Sequence, residues 1–398
     1  MINVAVLGYG TVGSGVVEVI EKNKQKILER TGVELGVKYV LDLRDFPGDP
    51  YEDKIVHDVN LIMDDPEVAV VCEVMGGVGA AFQFSRMALE RGKAVCTSNK
   101  ELVAKHGTEL LALARSNKTN YFFEASVGGG IPIIRPMVRS LTAEKIESVV
   151  GILNGTTNYI LTKMDREGAD FDTVLKEAQA LGYAERNPEA DVEGHDACRK
   201  IAILSMLINS KEVDSEQIPT EGITKITPVD FAFAKELGCT IRLLGVSKCS
   251  SEDELSLRVA PFLVSNDNPL SAVSDVYNAI LVTGNMVGDT MYYGRGAGKL
   301  PTASAVVADV VEAGKHIGIP LMEAWTSERA TLADPGLEER QFLVRGDKVV
   351  TEGFEKAFPG GKHLEVGSEA AYLTPLVSEK AFEECAKNLN PANSIRVL

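Results

Sequence analysis

INVAVLGYGTVG, at residues 2–13, joins a short apolar run to three glycines with the spacing G-x-G-x-x-G. The apolar run Ile2–Leu7 predicts a buried strand, and the residues from Thr11 to Arg30 predict a helix. In this motif the first glycine permits a tight turn, the second admits a pyrophosphate and the third lets the helix pack on the strand. The helix N-terminus then faces the anion. The residues predicted to contact a dinucleotide are Gly8, Gly10, Thr11, Val12 and Gly13.

Apolar runs alternate with amphipathic stretches throughout the first 130 residues. Further strands are predicted at Val37–Leu43, Val68–Met75, Ala94–Thr97 and Tyr121–Ala125, and helices at Ala80–Gly92 and Asn99–Ser116. This alternation is typical of right-handed βαβ units on a parallel sheet. We therefore predict an α/β fold whose N-terminal domain, residues 1–130, is a Rossmann dinucleotide-binding domain. A helix at Ala303–Gly318 is predicted to pack back on it, within residues 300–320.

The pattern changes after residue 130, where a second domain is predicted over residues 131–299. Its predicted elements are a strand at Ile146–Leu153, helices at Asp172–Leu181 and Gly194–Asn209, and β-rich sequence over Leu255–Tyr293. We expect an α+β domain that binds substrate and dimerises through an open sheet. Residues 326–398 predict a small C-terminal extension. Its predicted elements are edge strands at Phe342–Arg345 and Ser394–Val397, with a helix at Lys380–Lys387 between them.

The charge and cysteine content exclude several classes of protein. The 398 residues include 41 Lys and Arg against 57 Asp and Glu, a net charge of −16. Such a surface repels phosphate backbones and anionic membranes, so no nucleic acid and no membrane is expected as a partner. The N-terminus lacks the basic region and cleavage site of an export signal. Since the six cysteines include no C-x-x-C pair, free thiols and a cytoplasmic location are expected.

Two charged residues near the end of the second predicted strand bear on the choice of cofactor. Asp42 favours NAD, because a carboxylate there can hold the 2′-hydroxyl of the adenosine ribose. Arg44 favours NADP, because a guanidinium there can meet the 2′-phosphate. Both residues also suit a solvated loop. The sequence leaves NAD and NADP open.

Five segments, in order over residues 1–320, resemble the homoserine dehydrogenases. They are TSNK at 97–100, EASVGGGIP at 124–132, GILNGTTNYIL at 151–161, the stretch from GYAE at 182–185 through Asp191 to DACRK at 196–200, and GRGAG with PTAS at 294–304. The resemblance implies an NAD(P)-dependent oxidoreductase that interconverts L-homoserine and L-aspartate 4-semialdehyde in threonine, methionine and isoleucine biosynthesis. It also implies a homodimer or homotetramer.

The fourth segment carries the implied chemistry. Asp196 and Lys200 are four residues apart, so they share one face of a helix. The resemblance implies that Lys200 is the acid/base residue, with Asp196 beside the reacting centre. His195 is not chosen as the acid/base residue, because it directly precedes Asp196 and so points to another face of the helix. The other implied residues are Glu185 and Asp191 for the substrate's amino group, Thr156 near its carboxylate or the nicotinamide, Lys100 for substrate and nicotinamide, and Thr97, Ser98 and Gly298 for the cofactor. Arg44 is a cofactor candidate from its place after the second strand and not from the resemblance.

The glycine-rich segment at 124–131 resembles one that wraps a monovalent cation in this family. The implied ligands are the Glu124 carboxylate and the main-chain carbonyls of Val127, Gly129 and Ile131. Hard cations prefer such oxygen ligands, and consecutive glycines let alternate carbonyls converge. A structural Na⁺ is therefore expected. The other interpretation of this glycine-rich segment is a flexible hinge between domains. The segment can bind a cation and act as a hinge at the same time.

Two other functions stay open. One is a different NAD(P)-dependent amino or hydroxy acid dehydrogenase, because a fold does not fix a function. The other is a non-catalytic NAD(P)-binding sensor, against which the two lysines and the acidic residues argue. The tail departs from the family, because many members end in an ACT domain that binds an amino acid, and no clear ACT pattern follows Thr326. At most a shortened ACT-like module is expected, and inhibition by threonine is not implied.

Overall fold

The computed structural model describes residues 1–251 and 254–398, which form two compact units. The first unit comprises Met1–Glu144, Ala202–Asp214 and Gly294–Arg329, and the second comprises Lys145–Ile201, Ser215–Tyr293 and Ala330–Leu398. The elements of residues 1–144 are β1 (Ile2–Leu7), α1 (Thr11–Thr31), β2 (Leu35–Leu41), β3 (Ile55–Val56), α2 (Asn60–Met63), β4 (Val68–Glu73), α3 (Gly79–Glu90), β5 (Ala94–Thr97), α4 (Lys100–Ser116) and β6 (Tyr121–Phe122).

The middle of the chain supplies the longest strands. Its elements are β7 (Ile146–Ile152), α5 (Gly155–Glu167), α6 (Phe171–Ala180), α7 (Glu189–Val192), α8 (His195–Asn209), β8 (Lys211–Glu212), α9 (Pro228–Glu236), β9 (Cys239–Cys249), β10 (Glu254–Ser265), β11 (Tyr277–Gly284), β12 (Gly288–Arg295) and α10 (Lys299–Lys315). The remaining elements are β13 (Thr326–Arg329), β14 (Thr331–Leu332), β15 (Glu339–Arg340), β16 (Phe342–Gly346), α11 (Lys348–Ala357), β17 (Lys362–Val366), β18 (Glu369–Leu373), β19 (Val377–Ser378), α12 (Glu379–Leu389) and β20 (Asn393–Val397).

The first unit is built on a six-stranded parallel sheet in the order β3-β2-β1-β4-β5-β6. The predicted α/β fold with a Rossmann sheet is confirmed. The helix predicted from Ala303 instead begins at Lys299, because Pro301 lies in its first turn, where proline is tolerated. Helix α10 packs closely on α1, since a Cβ added to Gly15 would lie 3.0 Å from the Cβ of Ala303.

The second unit contains a ten-stranded mixed sheet. Nine of its strands run in the order β12-β11-β7-β9-β10-β20-β16-β18-β17, and β14 pairs with β10 off this path. Strands β7, β9, β10 and β11 pair antiparallel, and β10 pairs parallel with β20. Helix α8 packs on this sheet, because a Cβ on Gly245 would lie 3.2 Å from Ile201 and 2.8 Å from Leu153.

The tail is more regular than the sequence suggested. Its elements β16, α11, β17, β18, α12 and β20 form a βαββαβ module around the buried rings of Phe342, Phe354, Tyr372 and Phe382. The prediction that Phe342–Arg345 and Ser394–Val397 are edge strands is wrong. Strand β16 lies between β20 and β18, and β20 lies between β16 and β10, because the module extends the sheet of the preceding domain. None of the helices in residues 1–251 and 254–398 has the length and hydrophobicity to span a bilayer.

Candidate active site

The glycine turn between β1 and α1 has room for a ligand on one side only. A Cβ added to Gly13 would lie 1.8 Å from the carbonyl oxygen of Gly8, so no other residue fits there. A Cβ added to Gly10 would meet nothing within 4 Å, which leaves that side of the turn open. Gly10 is also the N-cap of α1, and no side chain caps this helix end within the described residues. Its first amides are therefore available to an anion such as a pyrophosphate.

Asp42 and Arg44, the two residues that bear on cofactor choice, pair with each other. Arg44 donates from Nε and from a terminal guanidinium nitrogen to the two Asp42 oxygens, both at 3.0 Å. The amide of Tyr9, inside the glycine turn, donates to the second oxygen at 2.9 Å. The Arg44 guanidinium holds the pKa of Asp42 well below its usual range. The carboxylate is thus ionised and tied to the turn, while the Arg44 side chain stays largely exposed.

A buried carboxylate at the end of β4 organises the neighbouring turn. Glu73 is fully buried, and it accepts hydrogen bonds from the Thr97 hydroxyl at 2.6 Å and the Met75 amide at 2.9 Å. Glu73 was not among the residues predicted from the sequence, although an acidic residue that ends a buried strand is a usable signal. Because the Thr97 hydroxyl is used internally, only its main chain remains for a ligand. Asn99 caps α4 by accepting from the Leu102 amide at 3.0 Å.

The other residues expected near the cofactor lie at the ends of elements in the same unit. Lys100 is the first residue of α4, and Ser98 donates its amide to the Glu73 carbonyl at 3.4 Å. Gly298 precedes α10 with φ +119°, a value that side-chain-bearing residues rarely adopt. Strand ends and helix starts at this edge of a parallel sheet are where such folds bind ligands.

Lys200 and Asp196 form a buried ion pair on α8. Their side chains meet at 2.7 Å between Nζ and Oδ2, and the residues are 8% and 4% exposed. The Lys200 ammonium also donates to the carbonyl oxygen of Leu153, at the end of β7, at 2.7 Å. Two of its three N–H groups are thus held in fixed directions, and the third can serve a ligand. This geometry excludes the surface-pair interpretation of the two residues.

Asn154 joins the two carboxylates of the site. Its amide nitrogen donates to Asp191 Oδ1 and Asp196 Oδ2, both at 2.8 Å. Its oxygen accepts from the Thr157 amide at 2.9 Å and so caps α5. Burial, and then the Asp196 carboxylate, raises the pKa of Asp191. The sequence analysis named Asn154 only as part of a motif, because its two partners are 37 and 42 residues away.

The remaining predicted substrate residues lie in the first turn of α5 and in the loop that follows α6. Thr156 donates its hydroxyl to the Tyr183 carbonyl at 2.7 Å, which ties the start of α5 to the loop before Glu185. Glu185 is exposed in that loop, and its carbonyl accepts from Gln179. His195 is exposed at the start of α8, whereas Asp196 beside it is buried. An exposed carboxylate such as that of Glu185 suits an amine-bearing ligand.

The segment expected to hold a cation folds around Glu124. Its carboxylate accepts from the amides of Ile133, Ile134 and Arg135 at 2.6, 2.9 and 2.8 Å. Asp309 on α10, which the sequence analysis missed, accepts the Glu124 amide at 2.9 Å. Burial, followed by the charge of Glu124, raises the pKa of Asp309 to about 7.

Comparison with known proteins places both the glycine-turn region and the Lys200 region in one family. The model described as "Homoserine dehydrogenase, NAD binding domain" matches residues 8–124, and the model described as "Homoserine dehydrogenase" matches residues 132–311. The homoserine dehydrogenase of Bacillus subtilis is 45% identical over 323 residues, which cover 79% of this chain and 73% of that protein.

Solved structures give the same result. A homoserine dehydrogenase from Thiobacillus denitrificans superposes with a TM-score of 0.89 at 34% identity, over 100% of this chain and 98% of the other. A hyperthermophilic archaeal homoserine dehydrogenase mutant in complex with NADPH superposes with a TM-score of 0.67 at 28% identity, over 81% of this chain and 99% of the other.

Proposed function

The chain belongs to the homoserine dehydrogenase family and is an NAD(P)-dependent oxidoreductase, and from this premise we propose that Lys200 is its acid/base residue. The observation that carries the proposal is the buried Lys200–Asp196 pair, with the ammonium also fixed by the Leu153 carbonyl. A buried cation with two acceptors and a third N–H that has no partner among the described residues is suited to polarise a carbonyl and to give it a proton.

The proposed mechanism assigns one task to each side chain. Glu185 and Asp191 hold the substrate's ammonium group, and Thr156 lies near its carboxylate. In the reductive direction Lys200 donates a proton to the aldehyde oxygen as the carbon gains a hydride, and in the oxidative direction it takes the hydroxyl proton back. Asp196 stabilises the charged lysine. When bound, the nicotinamide supplies or accepts the hydride, and Lys100 is proposed to contact both it and the substrate.

The direct test measures reduction of the cofactor through the absorbance of its nicotinamide band. We expect turnover with L-homoserine and either NAD or NADP, and none with malate. Turnover with another hydroxy or amino acid but not with homoserine would favour a different dehydrogenase. Cofactor binding without turnover of any substrate would favour a sensor. Comparing the turnover rate with NAD and with NADP in the same assay decides between the NAD preference that Asp42 suggests and the NADP preference that Arg44 suggests.

Asn154→Ala is expected to move the acidic limb of the kcat/KM profile for homoserine to higher pH. The substitution removes the amide that donates to both carboxylates, so the pKa of Asp191, already raised by burial and by Asp196, rises further. A carboxylate with a raised pKa is protonated over more of the pH range, and protonated Asp191 does not pair with an ammonium.

Asn158→Ala is the matched control for this substitution. Asn158 is also a buried asparagine of α5, but it donates only to main-chain carbonyls, including those of Asp275 and Tyr277. The Asn158→Ala substitution should lower thermal stability and leave the pH profile of kcat/KM unchanged. An unshifted acidic limb in Asn154→Ala, measured over the same pH range, contradicts the assigned role of Asp191.

We also propose that the segment 124–131 binds Na⁺. Among the hydrogen bonds of the described residues, none ends on the carbonyl oxygens of Val127, Gly129 or Ile131, so these acceptors remain for a cation. Gly129 needs to be glycine, because its φ is +54° and a Cβ would lie 2.5 Å from the Gly296 carbonyl oxygen. No cluster of three or more acidic, His or Cys side chains suited to a metal occurs in the described part of the chain. The site therefore depends on main-chain oxygens and Glu124, as a weakly charged hard cation permits.

Replacing sodium chloride with choline chloride at equal concentration is expected to lower the thermal midpoint of the protein. A ligand that binds only the folded state stabilises it by about 2.7 kcal/mol at 100 times its Kd. Glu124→Gln should abolish the difference between the two salts. Equal midpoints of the wild-type protein in both salts would exclude a structural sodium ion.

The wider setting is also a proposal. We assign nucleotide binding to residues 1–130 with 300–320, substrate binding and dimerisation to 131–299, and a small ACT-like module to 326–398. Exposed apolar side chains at Met286, Met291 and Tyr293, on and beside edge strand β12, support a homodimer or homotetramer, which light scattering can test. Six free cysteines support a cytoplasmic location. A role in threonine, methionine and isoleucine synthesis can be tested by rescue of a homoserine auxotroph.

A further inference from the structure

The two carboxylates joined by Asn154 lie at the ends of one short turn. We call residues 191–196, which run from Asp191 to Asp196, the carboxylate turn. It rests on residues 219–223, here called the support segment. The Ile223 amide donates to the Val192 carbonyl at 2.8 Å, and a Cβ added to Gly222 would lie 2.3 Å from that same oxygen. The two backbones therefore approach too closely for a side chain to fit between them at Gly222. Because they are in direct contact, a displacement of the support segment moves the carboxylate turn with it.

The support segment is itself held on its other side. Its backbone joins β10 through two hydrogen bonds, from the Glu221 amide to the Val259 carbonyl at 2.8 Å and from the Val259 amide to the Pro219 carbonyl at 2.9 Å. The Glu221 side chain, 48% exposed, accepts from two guanidinium nitrogens of Arg396, at 2.8 and 2.7 Å. Arg396 lies on β20, the last strand of the βαββαβ module. The C-terminal module therefore contacts the support segment through the ion pair between Arg396 and Glu221.

Arg396 is a rigid part of that module. The residue is 7% exposed, and its guanidinium also donates to the buried carboxylate of Glu379, at the start of α12. Arg258 on β10 lies 3.5 Å from the same carboxylate. Burial lowers the pKa of Arg396, but the hydrogen bonds to Glu379 and Glu221 outweigh burial and raise this pKa above its usual range, so both ion pairs favour the charged guanidinium. A planar guanidinium fixed on one side by Glu379 presents its remaining N–H groups to Glu221 in one direction.

We propose that Arg396 is a positioning residue for the reaction: through Glu221 it fixes the support segment, and thereby the carboxylate turn. The inference rests on the proposed function, because it takes Asp191 and Asp196 to act on the substrate. It adds that the C-terminal module contributes to the active site of the second unit without touching the substrate. Breaking the Arg396–Glu221 ion pair alone keeps Arg396 paired with Glu379, so the module stays folded while the carboxylate turn is less precisely placed.

Two substitutions test this from opposite sides of the ion pair. Glu221→Gln removes the charge of a half-exposed residue and leaves Arg396 paired with Glu379, so folding is retained. Arg396→Met breaks the ion pair with Glu221 completely, and because it also leaves the buried Glu379 without this partner, it is expected to lower thermal stability as well. Both should lower kcat/KM for homoserine by about 10- to 100-fold, the scale of a small misplacement of reacting groups. The KM for the nucleotide should not change. Arg396→Lys should restore part of the loss, and Glu221→Gln should add little to Arg396→Met, because both break the same contact.

Arg340→Met is the matched control. Arg340 is as buried as Arg396, at 8% exposure, and also pairs with a glutamate, Glu338, at 2.8 Å. The Arg340→Met substitution should lower thermal stability and leave the KM for homoserine unchanged. The inference is overturned if Glu221→Gln keeps wild-type constants for homoserine, or if Arg340→Met changes them as much as Arg396→Met does. Failure of the proposed function is distinguishable, because the wild-type protein would then show no turnover of homoserine.

Discussion

Replacing Lys200 with methionine is expected to lower kcat for homoserine oxidation by about 100- to 10,000-fold, the usual contribution of a positioned acid/base group. Methionine keeps most of the apolar stem and removes the ammonium that Asp196 and the Leu153 carbonyl hold in place. Nucleotide affinity should stay near the wild-type value, because Lys200 is not one of the residues proposed to bind the nucleotide. Stopped-flow fluorescence of bound NAD(P)H measures that affinity separately from turnover.

The Lys200→Met variant also needs a control for stability. Removing one partner of a buried ion pair leaves an uncompensated charge and costs about 3–5 kcal/mol. The double variant Asp196→Asn with Lys200→Met removes both charges, so it should recover stability and remain inactive. Lys163→Met is the surface control, since Lys163 forms an i,i+4 pair with Glu167 at 2.7 Å but is solvent-accessible. Retention of more than about a tenth of the wild-type rate by Lys200→Met would refute the acid/base role.

Replacing Gly10 with valine is expected to weaken NAD(P) binding by about 100-fold or more while leaving the fold intact. Loss of one or two hydrogen bonds between amides and a charged phosphate costs about 3 kcal/mol or more. A Cβ at this position meets no protein atom within 4 Å, so the added side chain enters the open side of the turn, where the pyrophosphate is proposed to bind. Isothermal titration with NADP and with NAD measures the loss, and an unchanged thermal midpoint without nucleotide shows that the fold is retained.

Gly13→Ala provides the contrast. Its Cβ would lie 1.8 Å from the Gly8 carbonyl oxygen, so this smaller substitution should distort the turn and lower the thermal midpoint as well as the affinity. Undiminished nucleotide affinity in Gly10→Val would mean that the cofactor does not approach α1 through this turn.

Much of the first unit was predictable because its signals are local. Strands Ile2–Leu7 and Ala94–Thr97 have the predicted bounds, and α1 differs from its prediction by one residue. A strand that is buried on both faces is a continuous apolar run, and the glycine spacing follows from the contacts of a single turn. The i,i+4 spacing of Asp196 and Lys200 likewise fixed their common helix face. The βαββαβ module was only partly predicted. Helix Lys348–Ala357 was missed although Val350, Phe354 and Ala357 recur at helical spacing, and strand Lys362–Val366 is short and mostly exposed, so its apolar signal is weak.

The sequence by itself determined the parallel nucleotide-binding sheet, the glycine turn and the family of the enzyme, because each depends on residues adjacent in the chain or on motifs in a fixed order. Only the tertiary structure decided that Asn154 joins Asp191 to Asp196, that Glu73 and Asp309 are buried in hydrogen-bonded positions, and that Arg396 grips Glu221. These contacts join residues 24 to 185 positions apart, and which distant polar groups meet is set by how the sheets and helices pack. A buried polar group must find a partner, but the sequence does not say which one.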